Sequence, residues 1–361
     1  MKKLYPLLLT AILFIAVFKA DAQSGFSDIV KVSPADATKL LTAYGEPLFK
    51  GFGVGMNGGW ANTAKVKKLL HFDLRITASA AFTPQSDKSF DVTKIGLSNG
   101  VTPADPNQTI APTIGGERST EGPLMNINDQ NGNKISSFNL PKGFLPVIPM
   151  PQVQLTVGVG ARTDLTVRYI PNIKVGNDVG SVNMVGFGLK HDLTRYFFGK
   201  AAKVVPFDLS VLLAYSKLNL NADLNVQPAQ NNSGVGTAQH DPTDPNTNTD
   251  FSNQHTDAHF TSFLGEAIIS KKLLFFTPFL AVGYNQAHTN LAAIGNYPVT
   301  TSSTGPQDYY TVYTDPISIK ETSISGMRAD IGFQLNLGIR IFASASLAQY
   351  KSVNAGIGFG F

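Results

Sequence analysis

The chain has no cysteine. That excludes disulfides, thiol chemistry, thiolate metal sites and a lipid anchor on a cysteine. Charge of either sign is sparse: 29 Lys and Arg stand against 25 Asp and Glu, a formal net charge of +4 over 361 residues. So even a balance offers no broad phosphate-binding footprint, and no nucleic-acid partner is expected. Histidine is confined to His71, His191, His240, His255, His259 and His288. The nearest Ser/His pairing, His259 with Ser262, points to opposite faces of a strand. No enzymatic activity, cofactor or metal is therefore expected. Beyond the first turn of the chain no apolar run approaches the roughly 20 residues of a membrane-spanning helix.

What is present begins with an export signal. Lys2 and Lys3 precede an apolar run from Leu4 to Phe18, and Ala20-Asp21-Ala22 is a small-x-small cleavage site. Residues 1–22 are thus expected to be removed, leaving Gln23 first. Cleavage would take away Lys2, Lys3, Lys19 and Asp21 and lower the net charge from +4 to about +2. Residues 23–46 hold a short helix: Ser33 suits the N-cap, Pro34 the first helical position and Gly45 the residue past the end. This segment is expected to plug a barrel mouth or sit in the periplasm.

Residues 47–361 read as strands. In Ser352–Phe361 the odd positions Val353, Ala355, Ile357, Phe359 and Phe361 are apolar, and the even ones are polar or glycine. Side chains on a strand alternate faces, so one face is greasy and the other small or wet. The same period runs through Leu70–Phe82, Val153–Val159, Leu165–Tyr169, Val185–Leu189, Phe207–Tyr215, Thr261–Ile269, Leu274–Tyr284, Met327–Leu337 and Ile339–Leu347. With Gly51–Met56 and Ser89–Leu97 counted, the strands number about 12, or about 14 if Tyr309–Tyr313 hides a hairpin, in keeping with the even counts of bacterial barrels.

The joins sort by side. With the last strand running downward, the joins at the bottom are short (Ala161–Asp164, Ser270–Leu273, Gly338–Arg340), with His191–Val204 of medium length. The top carries Ser98–Met150, Asn219–Ala258 and Gln286–Ser325, rich in Asn, Asp, Pro, Gly, Ser and Thr. Short turns on one side and long loops on the other mark outer-membrane barrels. The expected fold is an all-β, transmembrane, antiparallel up-and-down barrel with a short N-terminal helix, in the cell outer membrane.

Two motifs suggest chemistry and are set aside. Gly53-x-Gly55-x-x-Gly58 matches a dinucleotide fingerprint by letter, but no buried strand leads into it and no βαβ pattern follows. It reads as a glycine-rich strand or turn packed close to other backbone. Asp244, Asn246, Asn248 and Asp250 space oxygen ligands at every second residue, a pattern suited to calcium. The loop lacks the mid-loop glycine, and a solvated outer loop is the favoured reading.

Several short motifs carry a family likeness: Gly59-Trp60-Ala-Asn-Thr-Ala-Lys65, Phe72-Asp-Leu, Ala81-Phe-Thr-Pro84, Arg168-Tyr-Ile-Pro171, Gly188-Leu-Lys-His-Asp192 and Pro206-Phe-Asp208. Together they resemble an uncharacterised outer-membrane protein family of Bacteroidota. More remotely the layout is similar to the long-chain fatty acid transporter superfamily of barrels. The resemblance implies a passive channel or transporter for small hydrophobic or amphipathic solutes. The alternative is a non-transport surface scaffold or secretion-associated barrel acting through its long loops. Expected partners are outer-membrane lipid, the barrel-assembly machinery and a hydrophobic small molecule.

The site candidates follow from lipid exclusion. Asp73, Arg75, Arg168, Lys190, Asp208, Glu266, Arg328 and Asp330 all fall on the polar phase of their strands. Burying them in lipid is costly, so they are expected to face the lumen. Both signs occur, which favours a structural network over a ring of one charge. Phe359 and Phe361 are the expected assembly signal.

Overall fold

In the computed structural model residues 28–361 are described, apart from 130, 175–179, 232–233 and 305–306. The signal-peptide expectation for residues 1–22 lies outside the described residues. Ten strands close one antiparallel barrel. They are β1 (Phe72–Phe82), β2 (Val147–Gly160), β3 (Thr163–Lys174), β4 (Ser181–Asp192), β5 (Asp208–Asp223), β6 (His255–Ser270), β7 (Phe276–Ile294), β8 (Ile317–Leu337), β9 (Ile339–Leu347) and β10 (Lys351–Gly360). Each strand pairs with its sequence neighbours. The last closes on the first, from Asp73 opposite Gly360 to Phe82 opposite Lys351. The fold is the all-β, up-and-down barrel of transmembrane type that the alternation predicts.

The period of two places the greasy face outside. Leu74, Leu155, Leu165, Phe187, Leu213, Phe263, Leu280, Ile331, Ile341 and Phe359 all stand exposed on the outer wall. Such a belt has no use in water and suits a hydrocarbon surround. No helix among the described residues is long and apolar enough to cross a membrane.

Strand height is uneven. β9, β10 and β1 have 9, 10 and 11 residues, whereas β7 and β8 have 19 and 21. The tall wall rises into a cap built from the long joins. Residues 83–146 fold into a three-stranded sheet and a two-stranded pair. A hairpin, Asn296–Thr304 with Gln307–Thr314, adds Gln239–His240 as a parallel third strand. At the opposite end the joins are tight. Ala161 and Arg162 both take left-handed backbone conformations, as does Leu274.

Three expectations are corrected. The strand number is ten, because two segments counted as strands lie elsewhere. Gly51–Met56 belongs to the helix α1 (Pro34–Met56). Ser89–Leu97 contributes only the short strand Ser89–Asp91, in the cap. The Tyr309–Tyr313 hairpin exists but stands outside the barrel wall. The helix also runs past Gly45 and through Pro47, well beyond residue 46. At that point the Tyr44 carbonyl accepts from the Ile114 amide of the cap at 2.9 Å, so tertiary contacts carry the helix across its weakest turn.

Candidate functional site: a filled lumen

The chain occupies its own barrel. α1 starts in the cap, where Asp36, fully buried, accepts from the Ser98 amide at 2.8 Å and its hydroxyl at 2.6 Å. The Ser33 hydroxyl completes the N-cap at the Asp36 amide. The helix descends the lumen to Met56. Residues 57–70 then continue downward without helix or strand and leave at the short-join end, where β1 begins.

The upper lumen is apolar and tight. A Cβ on Gly51 would lie 2.7 Å from Ile148, one on Gly53 2.8 Å from Ala287, and one on Gly55 2.9 Å from Met150. The glycines of the rejected dinucleotide motif let the helix approach the wall. Gly53 and Gly55 are helical, not the strand or turn expected, because packing here overrides the weak helix propensity of glycine, whereas Gly58 lies in the bend past the helix end. Phe49 and Phe52 meet Phe260 at ring separations of 6.3 and 5.1 Å.

The lower lumen is polar, and its donors converge on main-chain oxygens of residues 54–65. Arg168 is fully buried and donates to the Met56 carbonyl at 2.7 Å, to the Gly58 carbonyl at 3.0 Å and to Gln154 at 3.0 Å. Its guanidinium lies 3.8 Å from the centre of the Trp60 ring. Trp60 in turn presses on β4, where a Cβ at Gly186 or Gly188 would stand 3.1 or 2.9 Å from the indole. Lys190 donates to the carbonyls of Thr63 and Lys65 at 3.1 and 3.0 Å and pairs with Asp164 at 3.2 Å. Gln152 reaches the Gly55 carbonyl and Gln154 the Trp60 carbonyl. Ser270 and Asp164 accept from the amides of Ala64 and Lys67.

The remaining charges close two ion-pair groups. Arg328 grips Asp330 with both Nε and Nη2, at 2.8 and 2.7 Å, and Ser346 bonds to both residues. Glu266 shares with this pair a polar cavity of about 10 Å³, room for about one water. Asp73 pairs with Arg75 at 2.5 Å, with Arg340, and with Lys67 at 3.5 Å. Asp208 is the exception among the eight candidates: it is only half-buried, at the lower rim opposite Ser270. Lys67 has its ammonium pKa pushed down to about 8, by burial first and by the Arg75 charge second, with Asp73 opposing.

Sequence reasoning missed Arg340, Asp164 and the grip of Gln152 and Gln154 on the plug. Arg340 was legible, since it falls between Ile339 and Ile341 on the polar phase. Phe359 and Phe361 stand exposed outside; the Phe361 ring meets Phe72 at 4.6 Å and its carbonyl accepts from the Phe72 amide.

The other motifs settle into structural roles. Asp244, Asn246, Asn248 and Asp250 each accept from the amide two residues on, a run of Asx turns that accounts for the period of two. No group of three metal-ligating side chains occurs among the described residues. His259 has Asn219 on one ring nitrogen at 2.8 Å and Asp257 on the other at 3.2 Å, so neither is turned to a hydroxyl.

The molecule is thus a closed antiparallel barrel with an apolar outer belt and a lumen occupied by its own N-terminal segment. The chain belongs to a family of unknown function, DUF6588, whose model matches residues 1–361. No curated protein matches it. Among solved structures, it is similar to Ail, the attachment invasion locus protein of Yersinia pestis, at 9% identity over 81% of this chain and 97% of that one, with a TM-score of 0.25. The outer membrane transporter YddB from Escherichia coli is 9% identical over 81% of this chain and 42% of its own, with a TM-score of 0.29. The Pseudomonas putida toluene transporter TodX is 9% identical over 81% and 68%, with a TM-score of 0.21. Likeness this distant says nothing of solute or partner, and the fold stands on the barrel's own geometry.

Proposed function

We propose that the protein is an outer-membrane barrel without a standing pore, working as a surface scaffold through the cap on its long-loop end. It is exported by a cleaved signal, assembled through Phe359 and Phe361, and holds its short-join end in the periplasm. The observation that carries this reading is the occupancy of the lower lumen. Arg168, Lys190, Gln152 and Gln154 spend their donors on carbonyls of residues 55–65, leaving no charged wall facing an open path. The cap's Val101, Met125 and Phe138 are buried in one apolar cluster with α1 and the upper barrel wall, which supports a built outer surface.

Passage of small hydrophobic or amphipathic solutes is the second reading. Its support is the apolar upper wall, which would suit such a solute once α1 withdrew. Planar-bilayer recording separates the two. The chain has no cysteine, so Thr63→Cys with Ser270→Cys, whose hydroxyls now lie 3.0 Å apart, would tie the plug to the wall through a unique disulfide. The scaffold reading expects no conductance steps whether the pair is oxidised or reduced. Steps present when reduced and lost when oxidised would replace it with gated transport.

A further inference from the structure

The outer wall carries a groove that the belt alone does not require. It measures about 870 Å³, within the roughly 300–1,000 Å³ typical of ligand sites. It crosses from β6 to β10. Phe207 and Phe276 stand toward its lower end, and its far side is lined by Ala343 and Ala355. The depth has a simple origin. Ala355, Ala343 and Phe333 lie in register across β10, β9 and β8, so two small residues sit beside a large one. One row nearer the short-join end the same three strands carry Ile357, Ile341 and Leu335, which close the dent from below. Strands 4.7–4.9 Å apart make the groove roughly 20 Å long. One leaflet of hydrocarbon is about 15 Å thick, so an acyl chain fits along it obliquely.

The groove is not apolar throughout. Lys271, in the join after β6, is exposed at its lower end and makes no ion pair among the described residues. Lys272 beside it is exposed too, and the next three residues, Leu273, Leu274 and Phe275, are exposed apolar side chains. Leu274 holds a left-handed backbone conformation, φ 53°, which non-glycine residues adopt at a cost. A turn that exposes leucine at its tip behind two lysines is shaped for the boundary between hydrocarbon and headgroups.

We infer that this groove holds one phospholipid of the periplasmic leaflet, its acyl chain over Ala343 and Ala355 and its phosphate at Lys271. The inference rests on the membrane placement proposed above. A second copy of the chain is the competing occupant, but it would have to bring an anion to Lys271 from a belt whose exposed side chains are apolar.

Native mass spectrometry of refolded, lipid-free protein in non-ionic detergent, titrated with dioleoylphosphatidylglycerol, tests it. Wild type should take up one lipid saturably before any others. Ala343→Phe with Ala355→Phe should weaken that first adduct at least tenfold. Lys271→Glu should weaken it several-fold while leaving binding of uncharged dioleoylglycerol unchanged. Heat-modifiable gel migration reports that each variant is folded, and the charge reversal carries the test if the double variant is not. Unsaturable adducts equal in wild type and variants would overturn the inference, as would a dimer dispersed by the phenylalanines with lipid uptake unaltered. Flotation with vesicles separates the failures: a protein that inserts but shows no preferred lipid removes this site alone, and one that never inserts removes the membrane placement as well.

Discussion

The two halves of the lumen hold the same chain by different means. Above, α1 meets Ile148, Met150, Ala287 and Ile324 through glycine faces. Below, residues 57–70 meet Arg168, Lys190, Gln154 and Asp164. The difference follows from backbone accounting. A helix satisfies its own amides and carbonyls except at its ends, so the wall around its body need supply only shape, and the open carbonyls of its last turn, Gly55 and Met56, take Gln152 and Arg168. A segment without helix or ladder leaves each carbonyl to be paired from outside, and a buried one left unpaired is costly. The cations of the lower barrel are placed where those carbonyls are.

The comparison breaks hardest at Arg168. Arg168→Met keeps much of the volume but removes three hydrogen bonds, orphans the Gly58 carbonyl and leaves the Met56 carbonyl with the Trp60 indole N–H alone, which should loosen residues 57–70 by about 1–3 kcal/mol. Limited proteolysis of the reconstituted protein should then cut within this stretch while the barrel stays heat-modifiable. Resistance equal to wild type would remove Arg168 from the account.

Proton linkage at Lys67 should act only on the lower half. Its folded pKa of about 8 lies below the ordinary value of 10.5, so burial disfavours the charged form and the penalty is fully present below pH 8. As pH rises from about 8 to 10.5 the released segment still binds the proton and the folded one does not. Stability of the plug therefore rises across that window, by roughly 3 kcal/mol at most. Hydrogen exchange of residues 60–68 should slow relative to the intrinsic rate as pH rises, and Lys67→Met should abolish the trend. Asp73, Arg75, Asp164 and Lys190 are the charges facing Lys67, and a trend surviving in that variant would belong to them.

The upper half should respond to volume instead. Gly53→Leu drives side-chain atoms into Ala287 and Ile324, an overpacking worth about 1–3 kcal/mol, and should lower the unfolding midpoint without exposing residues 57–70. The smallest effect is expected outside the lumen. Phe361→Ala removes a T-shaped contact with Phe72 worth about 0.5–1.5 kcal/mol, so equilibrium stability should change little. Assembly into membranes in cells should suffer more, and normal assembly would count against an insertion role for this residue.

Much of the wall was legible in the sequence, because lipid-facing positions must be apolar at a strict period of two. The inner face was legible only where it is polar, as in β1, β3 and β8. In β5 the run Val211-Leu212-Leu213-Ala214 is apolar on both phases. Its inward members Leu212 and Ala214 pack on the plug with Trp60, so the pattern there hides which side is which. The helix was cut short because Gly45, Pro47 and three further glycines weaken every local signal, and only contact with the wall makes them helical. Of the two surplus strands, Ser89–Leu97 failed because alternation marks a strand and not the sheet it joins, and Gly51–Met56 failed because glycine at every second residue mimics a strand period inside a helix. The charged candidates could be found singly, but their common target could not. It is a main-chain surface that appears only once residues 57–70 lie inside the barrel.

The central claim, that this segment resides in the lumen and is held there by its carbonyls, is tested most directly by one introduced thiol. Ala64 is fully buried against Ser270. In Ala64→Cys, reactivity toward a membrane-impermeant maleimide should be negligible in the folded barrel and should approach that of an exposed Lys68→Cys control when Arg168→Met is added. Labelling of Ala64→Cys at the control rate in the otherwise native barrel would contradict the account.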